Sequence, residues 1–536
     1  MHRLTRGLRL SSLLLATSVL ALGAASSANA AGDLIIAVQA SIEPANLDYQ
    51  VDPYTTTILF DSFVTDPLVI VAPDGTYQPA LATEWEIAPD AKTFTFKLRD
   101  DVIFQDGTPF NAEAVKYNFE RILAPETAST QLAGNIGPLK EVQVVDEFTV
   151  RFVYDEPWVN FMDVARKAPL WSPTAAAAST PQEFDKLLVG TGPFKFSEWV
   201  PNDHITFVKW DEYGGWNSVQ EHEGPALLDS VTIRFIGEPA VLGTVVDAGE
   251  AHIGFQIPAL STDMYVDSDR ASLLSKGQAG TGLSMVMNVR KPPLDNKNVR
   301  QALLYGRDMA QINDLLYDGL YEPSDGPLNN IHRCFWPGAT DMYPNDPAKA
   351  AQLLDEAGWK DDGSGIRKAS GVAGVEDGTP LVVRWQTLHH QEIGEALQAQ
   401  LRGIGMDLQV QVIPGPVQLQ EVQERTFDIM YERLRSTDPK ILDDIWNPAY
   451  DRPGGWYWSG YVNDELTALL KEVASNPDDA TRCEAAKSAQ EIIMEEALMV
   501  PTLSDPSFIA VDNSVKGFKL GAEGTFFFLH DVTIEE

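Results

Sequence analysis

Asp106-Gly107-Thr108-Pro109-Phe110-Asn111-Ala112-Glu113-Ala114-Val115-Lys116-Tyr117-Asn118-Phe119-Glu120-Arg121 reads as a turn running into a helix. Asp-Gly favours a tight turn because glycine reaches positive φ without a steric penalty. Pro109 and Asn111 then suit a helix start, Asn111 as the N-cap whose side chain accepts from a free backbone N–H. Val115, Phe119 and Ile122 recur at helical spacing and give that helix one apolar face. Just upstream, Thr93 to Arg99 alternates, with Phe94, Phe96 and Leu98 on one side of a half-buried strand.

Outward from this stretch the chain keeps alternating short strands, helices and Pro/Gly turns, without low-complexity tracts or convincing repeats. Val299, Leu303 and Leu315 mark a second helical region, interrupted by Gly306. Ile393, Leu397, Leu401 and Ile404 mark a third, closed by Gly403 and Gly405. The glycine-rich, charged stretch from Asp361 to Gly378 reads as an exposed loop or a β-hairpin insertion. The fold class expected is mixed α/β or α+β with several substructures.

The amino terminus reads as an export signal. Arg3, Arg6 and Arg9 precede an apolar run from Leu13 to Leu22, and Ala28-Asn29-Ala30 supplies the small-x-small pattern of a cleavage site. The run is short for a membrane span, and no cysteine follows it to carry a lipid. Residues 1–30 are therefore expected to be removed, leaving a soluble periplasmic protein too long for one hydrophobic core. The formal net charge of −37 repels phosphate backbones and excludes nucleic acid as a partner. Cys334 and Cys483 are the two cysteines; a disulfide and a pair of unlinked thiols both stay open.

Several segments together resemble one family. The stretch from Asp106 to Arg121 closely resembles the signature of the peptide/nickel/oligosaccharide-binding proteins of ABC importers, the family 5 extracellular solute-binding proteins. Gly190-Thr191-Gly192-Pro193-Phe194 is similar to the point where that family re-enters its first domain. Pro293 to Ala302, Asp346-Pro347 to Ala357-Gly358-Trp359, and Glu43 to Asp48 resemble three further segments, with Tyr49 where proline is usual. The matches follow the family's order along nearly the whole mature chain.

The resemblance implies a bilobed, periplasmic-binding-protein-like fold, two lobes joined by hinge strands with an extra inserted subdomain. One lobe would comprise residues 31–75, 187–285 and 505–536, with an inserted domain at 76–186. The other would comprise 286–504. Hinge strands fall near Phe255 to Gly282 and Pro501 to Val511, and closure of the cleft is driven by a ligand that prefers the closed state. The partners implied are a small-molecule ligand and the permease subunits of an inner-membrane ABC transporter, and a monomer is expected. No cofactor and no metal-ligand set are expected.

By position, the resemblance places ligand contacts in two stretches of the second lobe. One is Gln386-Thr387-Leu388-His389-His390, at a strand end before a helix whose N-terminus favours anionic groups. His389 is a candidate contact; adjacent histidines rarely ligate one metal, and a helix-start role is the ordinary reading. The other runs from Tyr431 to Pro439. Peptide-binding members carry a tryptophan and D-x-x-D-P here, one aspartate anchoring the peptide ammonium. This chain has Leu434 at the tryptophan position, keeps Asp438-Pro439, and adds Arg433 and Arg435. Asp438 would pair with a ligand cation, Arg435 would grip a carboxylate, and Thr437 lies between them. Trp456 and Trp458 offer aromatic faces, equally suited to plain packing. On the first lobe Glu43 and Tyr54 lie near the cleft.

An enzyme is disfavoured, since G-x-S-x-G, HExxH, P-loop and CxxC patterns are absent, and among 77 acidic residues a carboxylate pair can always be drawn. A peptide or amino-acid-derived solute ranks first. An opine or sugar conjugate, a metal chelate, and a chemoreceptor or chaperone role remain alternatives.

Overall fold

The computed structural model describes residues 32–51, 55–72, 76–129, 131–184, 188–452, 457–521 and 526–535. The export signal lies outside these residues. Within them the turn at Asp106-Gly107 forms: Gly107 has φ of 80°, and the Thr108 N–H donates to Asp106 Oδ1 at 3.0 Å. The helix Ala112–Leu123 follows, capped by Asn111, whose Oδ1 accepts from the Ala114 N–H at 3.0 Å. Val115, Phe119 and Ile122 are buried on one core with Phe94, Phe96 and Leu98 of the strand Thr93–Leu98. That strand is internal to a four-stranded antiparallel sheet ordered Ala82–Ile87, Thr93–Leu98, Thr149–Tyr154, Leu139–Asp146. Phe161 seals the core, its ring centroid 4.4 Å from Phe152 and 4.9 Å from Phe94.

Two larger sheets make the lobes. The first is seven-stranded, ordered Ala271–Lys276, Ser507–Asp512, Ile253–Phe255, Asp33–Gln39, Ser230–Ile236, His204–Lys209, Phe194–Val200. Its strand Asp33–Gln39 pairs in parallel with both neighbours. The second is six-stranded, ordered Glu322–Pro323, Met499–Ser504, Leu283–Met287, Ile429–Glu432, Val382–Thr387, Asp407–Val412. Each has its own apolar core, so each buries surface independently of the other. Among the described residues the chain crosses between these sheets twice. Residues 277–282 connect Ala271–Lys276 to Leu283–Met287, and residues 505–506 connect Met499–Ser504 to Ser507–Asp512. The strand Leu283–Met287 sits wholly in the second sheet, so the boundary expected at 285 shifts to the preceding connection.

The smaller sheet is fastened to the first lobe by polar groups of its own helix. Asn118 Nδ2 donates to the Trp171 carbonyl at 2.8 Å, and its Oδ1 accepts from Gln50 Nε2 at 2.9 Å. Arg121 reaches the Asp48 carboxylate at 2.7 Å, with the Trp171 indole N–H on the other Asp48 oxygen at 2.9 Å. The signature stretch thus contributes a core face and an interdomain bolt from one helix.

Three local expectations meet the structure differently. The stretch 361–378 contains one arm of a small hairpin, Trp359–Lys360 paired with Lys368–Ala369. Gly306 does separate two helices, Lys297–Tyr305 and Met309–Tyr317. Leu315, however, is 71% exposed, because the second of these buries Ile312 and Tyr317 instead. Cys334 and Cys483 form a disulfide with Cα atoms 4.9 Å apart, joining a loop to the helix Asp479–Glu495.

Candidate functional site

The strand Ile429–Glu432 leaves the second sheet as an extended segment, and alternation sorts its side chains. Glu432 and Leu434 turn inward: Glu432 accepts from Thr281 Oγ1 at 3.1 Å, and Leu434 packs on the second lobe's core. Tyr431, Arg433 and Arg435 share the other side. The segment is held against the first crossing, where the Thr281 N–H donates to the Leu434 carbonyl at 3.0 Å and the Ser436 N–H to the Ala279 carbonyl at 3.0 Å. Gly280 permits that approach, since a Cβ there would collide with the Leu434 carbonyl oxygen.

Arg433 and Arg435 converge on Asp505 in the second crossing. Arg433 Nη1 lies 2.6 Å from Asp505 Oδ2 and Arg435 Nη2 lies 3.4 Å from the same oxygen. Two guanidinium groups therefore share one carboxylate, leaving an excess positive charge in a strongly acidic protein. Burial and the neighbouring Arg433 charge push the Arg435 guanidinium down to about 10. Burial is the largest single influence on Arg433 and opposes its charge, but Asp505, Tyr431 and Tyr321 together turn the net shift upward. Among the described residues the buried Arg435 Nε and Tyr431 hydroxyl have no hydrogen-bond partner. Unpaired buried donors cost free energy, about 1–3 kcal/mol each, unless something accepts from them.

Aromatic rings border this cluster. Tyr317 and Tyr321 stack at 3.8 Å, and Tyr321 lies 6.5 Å from Phe508 on the first lobe's sheet. The rings of His389 and His390 lie 6.4 and 6.0 Å from Tyr431. His390 takes a left-handed conformation and starts the helix Gln391–Arg402. Its Nδ1 lies 3.3 Å from Glu392 Oε1, which also accepts from the Tyr317 hydroxyl at 2.7 Å. These contacts, led by the His390 hydrogen bond, hold the Glu392 carboxyl down at about 2.

The sequence-derived candidates divide sharply. Arg435 is in the cluster, and His389 is exposed at its edge. Asp438 is engaged through one carboxylate oxygen: Oδ1 is paired with Arg482 and accepts from the Lys440 N–H at 2.8 Å. Thr437 is exposed, and its carbonyl accepts from Arg333 Nε at 3.3 Å. Glu43 is committed within the first lobe, accepting from Trp199 Nε1 at 2.8 Å and from the Asn202 N–H at 3.0 Å. Trp458 is buried in the second lobe's core, the packing alternative. Trp456 and Tyr54 lie outside the described residues. Asp505 and Tyr321 were not singled out by sequence, and Tyr431 only as the first residue of the stretch from Tyr431 to Pro439; the proline following Asp505 is the sole local signal at that residue.

Comparison with known proteins agrees with this architecture. The family model described as bacterial extracellular solute-binding proteins, family 5 middle, matches residues 76–453. A glutathione-binding protein GsiB of Salmonella typhi is 27% identical over 545 residues, covering 95% of this chain and 97% of that protein. The structure of NikA from Brucella suis in complex with Fe(III)-EDTA superposes with a TM-score of 0.79 at 22% identity, covering 94% of this chain and all of the other. DppA from Helicobacter pylori in complex with the peptide STSA gives 0.77 at 22% identity, over 95% and 99% of the two chains. The chain belongs to the family 5 bacterial extracellular solute-binding proteins.

Proposed function

We propose that this chain is the exported, periplasmic component of an ABC importer, and that it captures a peptide or related amino-acid-derived solute through a carboxylate. The signal at residues 1–30 is cleaved after Ala30. Residues 31–75, 187–282 and 505–536, with the insertion at 76–186, move as one body, and residues 283–504 as the other. The supporting observation for the ligand is the Arg433–Asp505–Arg435 arrangement at a lobe crossing, with the Arg435 Nε and Tyr431 hydroxyl left unpaired. A carboxylate satisfies both and balances the surplus charge, as bidentate arginine contacts do elsewhere. Relatives named as glutathione-binding, and neighbours solved with a peptide and with Fe(III)-EDTA, agree with a carboxylate-bearing ligand. The protein binds and releases without turnover, acts as a monomer, and delivers to membrane permease subunits. Among the described residues no helix is long and apolar enough to cross a membrane.

A thermal-shift and calorimetric screen of the mature chain tests this reading. The panel is glutathione, di- and tripeptides, opines, metal chelates, and the same peptides with amidated carboxyl ends. A carboxylate ligand at a hundredfold its dissociation constant is expected to stabilise the protein by about 2.7 kcal/mol. Amidated peptides binding as tightly as the free acids overturn the assignment.

A further inference from the structure

The first crossing carries an unpaired group on the same side as Arg435. Gly280 and Arg435 face one another as an isolated antiparallel bridge, flanked by the Thr281-to-Leu434 and Ser436-to-Ala279 hydrogen bonds. Directly opposed residues in such a pair send their side chains to one face, and residues two apart along a strand share it. Gln278 therefore shares a face with Arg435, and Gly280 between them has no side chain to intervene. From there both side chains reach the second crossing. Arg435 Nη2 lies 3.4 Å from Asp505 Oδ2, and Gln278 Nε2 donates at 2.7 Å to the hydroxyl of Ser507, two residues on. Gln278 is 5% exposed, and its Oε1 accepts from no group among the described residues. A buried carbonyl oxygen without a donor costs free energy, so this one calls for an N–H or O–H that the chain does not supply.

We propose that Gln278 Oε1 accepts the N–H on the carbon next to the carboxylate held by Arg435 and Tyr431. The site then reads an α-amino-acid unit, the carboxyl end of a peptide, and not a carboxylate alone. The inference rests on the carboxylate reading above and narrows it. The unpaired groups are of both kinds: the Arg435 Nε and the Tyr431 hydroxyl donate, whereas Gln278 Oε1 only accepts. A carboxylate answers the first two and leaves the third stranded. The last residue of a peptide carries its amide N–H and its carboxylate on one carbon, so a single residue answers all three. A hydroxy acid, a simple carboxylate or a chelate with fully substituted nitrogens offers no N–H. A site built to hydrogen-bond a group rejects the analogue that lacks it, because a buried polar atom is then left unpaired.

Paired ligands test the assignment. Glutathione and trialanine are each compared with the analogue whose last residue is the corresponding hydroxy acid, which turns that amide N–H into an ester oxygen and keeps the carboxylate. Calorimetry on the mature protein should show each ester binding about 10-fold more weakly than its amide. In Gln278→Met the two should come within about twofold of each other, because the acceptor that distinguishes them is gone. Circular dichroism checks that the variant is folded, and Gln278→Leu takes its place if it is not. Equal binding of amide and ester by the wild type, or a ratio unchanged in the folded variant, overturns the proposal and assigns Gln278 Oε1 to water. Free acids that do not bind, or amidated ends that bind as tightly, overturn the carboxylate reading and this inference with it. Amide and ester binding alike while amidated ends are rejected overturns this inference alone.

Discussion

The Asp438 carboxylate is paired with the Arg482 guanidinium, and both side chains are largely withdrawn from solvent, 19% and 6% exposed. The pair clamps the loop after Arg435 onto the helix Asp479–Glu495. Asp438→Asn is therefore expected to leave solute affinity unchanged while lowering unfolding free energy by about 1–3 kcal/mol, the cost of weakening a hydrogen bond to a buried charge. Urea unfolding and calorimetry on the same variant separate the two effects. A large loss of affinity at unchanged stability would restore Asp438 to the ligand.

Arg435 carries the opposite expectation. Arg435→Ala removes one of two cations facing Asp505, so its effect on folding should be small. Its effect on a bound carboxylate should reach about 2–5 kcal/mol, as for truncating one member of a desolvated charge pair. Arg435→Lys should recover little, because a point charge does not reproduce the planar fork. Equal affinities for wild type and Arg435→Ala, read by calorimetry, would remove the residue from the site.

The bolt between Arg121 and Asp48 belongs to stability alone. Asp48 is fully buried and Arg121 is 8% exposed, and the guanidinium also donates to Gln50. Arg121→Ala strands the carboxylate and is expected to cost about 3–5 kcal/mol. Chemical denaturation should show the loss, and the inserted domain should loosen first in hydrogen exchange.

The disulfide is expected to contribute in the same currency. It closes a loop of 149 residues, and removing such a link typically costs about 2–4 kcal/mol. The double variant Cys334→Ala/Cys483→Ser avoids stray thiols, and its lowered melting temperature, compared with the wild type with and without reductant, checks the figure.

What sequence revealed follows the range of the interactions involved. The turn and helix from Asp106 to Ile122 were readable because caps, turns and apolar periodicity act within a few residues. Arg433 and Arg435 were visible as departures from the pattern, but their partner Asp505 is 72 and 70 positions away and meets them only where the lobes join. The partner of Asp438 was not readable either, because Arg482 lies 44 positions on, in a helix whose orientation no local signal gives. Leu315 lies in a helix as its spacing suggests, but which face goes inside is set by packing, and the helix turns Ile312 and Tyr317 to the core.

Glu432 gives the protein a pH dependence of determinable sign. It lies between Tyr431 and Arg433, points inward, and burial pushes its carboxyl up to about 8 from 4.5. Between those values the unfolded chain has released the proton and the folded chain still holds it. The folded state then binds more protons, and stability from this group falls as pH rises. Its contribution is complete below pH 4.5, declines by about 1.4 kcal/mol per pH unit through the window, and levels off above pH 8. Burial pushes Asp66 up to about 7, in the same direction, so the wild-type profile alone does not isolate Glu432. The difference between wild type and Glu432→Gln does, because glutamine keeps the shape and cannot ionise. Denaturant unfolding of both at pH 5 and pH 8 should show glutamine gaining on glutamate as pH rises. A difference that stays constant across that range means Glu432 is ionised in the folded protein at pH 5.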